Sequence, residues 1–72
     1  HNAKIGKGCL IAAGARIAGS TIVGDGVWIG PNAVVGNGLE IGEGAEIAIG
    51  SVVVKDVAAG SRVFGNPAKI FE

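Results

Sequence analysis

Aliphatic residues recur along this chain every six positions. Ile5, Ile11, Ile17, Val23, Ile29, Val35, Ile41, Ile47 and Val53 keep one register without a gap or an insertion. The residue after each is small in eight of the nine cases (Gly6, Ala12, Ala18, Gly24, Gly30, Gly36, Gly42, Ala48), and Val54 is the exception. Two places before each stands Ala3, Cys9, Ala15, Thr21, Val27, Ala33, Leu39, Ala45 or Ser51. Three places after it comes Gly8, Gly14, Ser20, Gly26, Asn32, Gly38, Gly44, Gly50 or Asp56, turn formers throughout. A three-residue stretch with apolar or small ends and a variable middle predicts a short strand whose ends point inward and whose middle residue points out. The turn former then predicts a sharp corner, in several cases with positive φ. A helix is excluded, because period six does not match 3.6 and the recurring Gly would cost an α-helix about 1 kcal/mol each.

Strand, corner, strand, corner at fixed length predicts an all-β prism wound from parallel strands. Three hexads make one 18-residue coil, so residues 3–20, 21–38 and 39–56 form three stacked triangular coils. Residues 18 apart then stack about 4.8 Å from one another. The inward columns read Ile5/Val23/Ile41, Ile11/Ile29/Ile47 and Ile17/Val35/Val53, a continuous aliphatic core. The outward columns read Lys4/Ile22/Glu40, Leu10/Trp28/Glu46 and Arg16/Val34/Val52. Five of those nine outward residues are large and apolar, and such a surface calls for a partner subunit. After Asp56 the register dissolves: 57–62 reads as a loop, Val63-Phe64 as a last short strand, and the rest as a turn and tail in which Pro67 helps to stop strand addition. The organisation expected is a repeat domain over 1–56 and a loop with a capping tail over 57–72.

The 72 residues are 49% apolar, and Val and Ile supply 18 of them against 17% charged, which excludes an unfolded chain. One Cys excludes a disulfide framework. Six basic and six acidic residues are scattered to net zero, so no face offers the field that nucleic acid or an anionic membrane needs. No apolar run reaches the roughly 18 residues of a spanning helix, and the expectation is a soluble, cytoplasmic protein without nucleic-acid or membrane partners. The chain holds no Met and opens on His1 within a running pattern, as expected of a piece of a longer protein.

Nine consecutive hexads of the form aliphatic-small-x-x-small-x resemble the hexapeptide-repeat acyltransferases. That resemblance implies a left-handed parallel β-helix, a homotrimer, and a donor site in the cleft between neighbouring prisms. His1-Asn2-x-x-Ile5-Gly6, with Ile11-Ala12-Ala13 and Ile17-Ala18-Gly19-Ser20, looks like the active-site region of the UDP-3-O-acylglucosamine N-acyltransferases of lipid A synthesis. In that family the His before Asn is the catalytic base, which implies the same role for His1. The run Ser51-Val52-Val53-Val54-Lys55-Asp56-Val57, leading to Gly65-Asn66-Pro67-Ala68-Lys69, is similar to the ending of the sugar O- and N-acetyltransferases. There the matching segment lines the coenzyme A cleft, so Gly65, Asn66, Pro67, Ala68 and Lys69 are implied as donor contacts. The donor is accordingly acetyl-CoA or an acyl-acyl carrier protein, and the acceptor an amino or hydroxyl group of a sugar or nucleotide sugar.

Acyl transfer from a thioester needs a base and donors aimed at the developing oxyanion. His1 is the sole imidazole, of a type whose unperturbed pKa of about 6.5 suits a base. It falls at a corner, one coil from Gly19, two from Asn37 and three from Lys55. A backbone N–H near Gly19 is the expected oxyanion donor. Lys69 and Arg62 are candidates for the cofactor's phosphates. Cys9 fills a small inward place and reads as core, and Trp28 as interface. The competing readings are a non-catalytic trimerising module and a relative of the gamma-type carbonic anhydrases. The latter hold zinc with three His, and one His and one Cys predict no metal site.

Overall fold

The computed structural model describes residues 2–71. Nine two-residue strands follow the hexads: β1 (Lys4–Ile5), β2 (Leu10–Ile11), β3 (Arg16–Ile17), β4 (Ile22–Val23), β5 (Trp28–Ile29), β6 (Val34–Val35), β7 (Glu40–Ile41), β8 (Glu46–Ile47) and β9 (Val52–Val53). Two more, β10 (Arg62–Gly65) and β11 (Ala68–Ile70), complete the chain. They form three sheets, β1-β4-β7, β2-β5-β8-β10-β11 and β3-β6-β9. Every pair is parallel except β10 with β11. Partners through β9 stand 18 residues apart, as in Ile5↔Val23 and Val23↔Ile41, so the three-coil prism and its columns are as the repeat predicts.

The corners turn because the fourth-place residues enter the left-handed region. Eight of the nine do so, including Ser20 (φ 63°) and Asn32 (φ 59°), and only Asp56 does not. The small residue after each aliphatic has a different cause. A Cβ on Gly42 would collide with the backbone of Ala59 in the segment beneath. Val54 breaks the rule without penalty, because it follows β9, an edge strand with no strand below it.

The core is the second and third coils with Val57 and Val63 beneath them. Val23, Val27, Ile29, Ala33, Val35, Ile41, Ala45, Ile47 and Val53 are buried, whereas Ile5 and Ile11 of the first coil are exposed. Each fully buried Val or Ile contributes about 1.5–3 kcal/mol. The one departure from pure hydrocarbon is Thr21 and Ser51, both fully buried in the place two before an aliphatic. Their hydroxyls are satisfied: Thr21 donates to the Gly36 carbonyl at 2.7 Å, and Ser51 accepts the Gly65 amide at 3.3 Å.

The register does not dissolve after Asp56. One hexad is shortened by two residues, and the repeat resumes: Val57 bridges Ile41 and Val63 pairs with Ile47, both 16 apart. Ala58, Gly60 and Ser61 fall on the small, corner and inward places of that hexad, and Gly60 has φ 73°. Asp56 repairs the shortened corner. Its Oδ1 accepts the Glu40 amide at 2.9 Å, where the coils above use a backbone carbonyl, Thr21 for Lys4 and Leu39 for Ile22. Residues 57–62 therefore continue the stack instead of looping away, and the tail is a strand, β11, folded back antiparallel on β10. Pro67 lies in the turn between them and does not prevent the pairing.

Candidate functional site

Gly19 sits on the corner between β3 and β4, half-buried, next to left-handed Ser20. Its carbonyl accepts the Gly38 amide at 3.0 Å, one coil below. Asn37 and Lys55 continue that corner downward, both exposed. The successive coils are spaced about 4.8 Å apart, so the corner forms a rail from Gly19 to the lower end of the prism. His1, the predicted base, lies outside the described residues; its neighbour Asn2 is exposed with φ 66°.

The predicted donor segment is the β10–β11 hairpin. Gly65 ends β10 at φ 110°, a backbone conformation that side chains other than glycine's rarely adopt, and Asn66-Pro67 forms the turn through a cis peptide. Gly65 pairs with Ala68, and Phe64 with Lys69. Ala68 is half-buried against the core, and Lys69 is exposed. Ala68 and Lys69, with Lys55, Asp56, Val53, Val57, Val63 and Ile70, line a hollow of about 330 Å³ under the last coil. Gly65, Asn66 and Pro67 stay out of it. The hollow has an aliphatic floor, two ammonium groups, and one carboxylate already bound to a backbone amide. Such a lining suits an anionic group that carries an apolar part.

A larger, open concavity of about 630 Å³ lies on the outer side of the β4–β7 face, where Glu40, Glu43 and Asp56 border Ile22 and Val57. Among the described residues no group of three or more His, Cys, Asp or Glu is placed to hold a metal ion. Gly19 lines neither hollow, and Lys55, lower on the same corner, lines the one beside the hairpin. Three of the five outward apolar residues are exposed as predicted, Leu10 at 62%, Ile22 at 48% and Trp28 at 37%, while Val34 and Val52 are half-buried. Phe64 and Phe71 add an edge-to-face pair on the hairpin's outer side, with centroids 6.5 Å apart. Ser51 and Asp56 were not singled out from the sequence. The available signal was a hydroxyl in a column otherwise filled by Ala, Cys, Val and Leu save for Thr21, and a corner residue that is not glycine.

The family described as bacterial transferase hexapeptide (six repeats) matches residues 20–55. Among solved structures, the UDP-N-acetylglucosamine O-acyltransferase of Moraxella catarrhalis superposes with a TM-score of 0.95 at 33% identity. That match covers 97% of this chain and 27% of that one, so the present chain spans about a quarter of the enzyme's length. Soybean serine acetyltransferase matches at 32% identity and a TM-score of 0.77, over 94% of this chain and 40% of the other. A hexapeptide-repeat acetyltransferase of Vibrio cholerae, at 24% identity and a TM-score of 0.78, covers 99% of this chain and 62% of its own and shares the fold. No curated protein matches. The prism is thereby the left-handed parallel β-helix.

Proposed function

The chain belongs to the bacterial hexapeptide-repeat transferases, and from that premise we propose that it is the β-helical part of an acyltransferase acting on a sugar or nucleotide sugar. The acyl group, acetyl or longer, comes from a thioester, either acetyl-CoA or an acyl-acyl carrier protein. The observation that carries this reading is the superposition on a UDP-N-acetylglucosamine O-acyltransferase over 97% of the chain at 33% identity. The serine acetyltransferase match supports the same chemistry on a different acceptor.

In the reaction an acceptor hydroxyl or amine attacks the thioester carbonyl carbon, and the carbon–sulfur bond breaks. His1 takes the nucleophile's proton and passes it to the departing thiolate. The oxyanion formed in between is held by a backbone N–H at the Gly19 corner. Gly65, Asn66, Pro67, Ala68 and Lys69 hold the donor. The working site lies between protomers of a homotrimer, packed through the faces that carry the exposed Leu10, Ile22 and Trp28. No step calls for a metal, and the protein works in the cytoplasm, where both donor types are made.

Thioester consumption by the full-length protein, with acetyl-CoA and acyl-acyl carrier protein run against a panel of amino and nucleotide sugars, tests the reading directly. Transfer is expected with one donor class, and His1→Ala is expected to lower it at least a hundredfold while sedimentation still reports a trimer. Full activity in that variant removes His1 from the role. No consumption with any donor leaves a β-helical trimerising module in place of an enzyme.

A further inference from the structure

At its Gly65 end the hairpin is tied to the coil above it by the side chain of Ser51. Ser51 is fully buried, and its Oγ accepts the Gly65 amide at 3.3 Å across 14 residues of sequence. Ser51 is itself fixed at both ends, since its amide donates to the Ala48 carbonyl at 3.2 Å and its carbonyl accepts the Val34 amide at 2.8 Å. Gly65 is the residue at which β10 leaves the regular ladder, with φ 110°, just before the Asn66-Pro67 turn. The rest of β10 is held by backbone pairing to β8, through Arg62↔Glu46 and Val63↔Ile47. Beyond Val63 that parallel ladder stops; Gly65 pairs with Ala68 across the turn and donates its amide to Ser51.

We infer that Ser51 is a positioning residue for thioester binding: its hydroxyl latches the Gly65 end of the hairpin and so sets where Gly65–Lys69 stands beside Lys55. The inference rests on the donor role proposed for that segment. The repeat supplies evidence that the hydroxyl is not needed for the coil. Ala fills the same place at positions 3, 15, 33 and 45, so Ser51→Ala is compatible with the fold. Thr fills it at position 21, where its hydroxyl likewise accepts a backbone amide from the next coil, that of Leu39 at 3.4 Å, so Ser51→Thr keeps the latch.

The test uses the full-length protein with Ser51→Ala and Ser51→Thr. Amide hydrogen exchange at Gly65 is expected to quicken at least tenfold in Ser51→Ala and to remain within twofold in Ser51→Thr, with Ala48 and Val63 unchanged in both. In the transfer assay KM for the thioester is expected to rise about fivefold or more in Ser51→Ala, with kcat within twofold, and to be restored in Ser51→Thr. Unchanged exchange at Gly65 overturns the latch, and faster exchange with an unmoved KM overturns its role in donor binding. A wild-type protein that transfers nothing sinks the acyltransferase reading and with it the donor role, while the exchange arms still decide whether Ser51 holds the hairpin.

Discussion

Ile5 and Ile41 occupy the same place in the repeat two coils apart, yet Ile5 is 43% exposed and Ile41 2%. Ile11 and Ile47 repeat the contrast at 40% and 0%. The hexad determines which way a side chain points; burial comes from the coil stacked on its open side. The first coil has a neighbour on one side only among the described residues. The third is closed from below by two devices, the shortened hexad that places Val57 under Ile41 and the hairpin that extends the Ile47 column through Val63. Among the described residues, the lower end of the repeat thus carries a terminator that buries its aliphatic columns.

The largest expected effect sets those ends against each other. Ile47→Ala empties a sealed site and is expected to cost about 3–4 kcal/mol, within the usual range for such truncations. Ile11→Ala, on a half-open surface that solvent already reaches, is expected to cost about 1 kcal/mol. Urea midpoints of the two variants measure the difference. Equal losses would mean that something covers the first coil in solution. Next in size, Gly42→Ala thrusts a methyl into the Ala59 backbone and pries the shortened hexad from the coil above it. About 2 kcal/mol is expected, typical of an overpacked site, with the loss visible as faster amide exchange at Gly60, whose amide donates to Glu43.

The first fifty-six residues were legible because each hexad repeats the same local instruction. Register, columns, corners and exposed outer residues all follow from it, and the pairings Lys4↔Ile22 and Ile22↔Glu40 are those the spacing demands. The terminator was harder to read. Removing two residues between Val53 and Val57 shifts every later position out of phase, so Ala58, Gly60, Ser61 and Val63 look irregular until Asp56 is seen standing in for a backbone carbonyl. Strand β11 carries no hexad signal of its own and is specified by the turn at Asn66-Pro67 and by an edge to pair with. The hairpin proposed to hold the donor was picked out by its order along the chain. Its latch was not, because Ser51 bonds a residue 14 positions away, outside the 18-residue spacing of the coils. The predicted base lies outside the described residues.

Asp56→Ala asks how much of the terminator depends on that substitute acceptor. The Glu40 amide then turns to water at an exposed corner, and a loss of about 1 kcal/mol is expected, with protection of the Glu40 amide falling in step. Glu46→Gln, the smallest change, removes the negative charge from the Arg62 Nε–Glu46 Oε1 contact of 2.9 Å that joins the hairpin strand to the third coil. Both side chains are about half exposed, at 47%. Water and salt screen the pair, so the cost is expected to stay within about 0.5 kcal/mol and to vanish in added salt. Backbone bonds carry the junction instead: Glu46 donates to the Ser61 carbonyl at 2.9 Å and Ala48 to the Val63 carbonyl at 3.0 Å. A loss above 1 kcal/mol in Glu46→Gln would reverse that ranking. The lower end would then be closed by charge, and its advantage over the upper end should shrink as ionic strength rises.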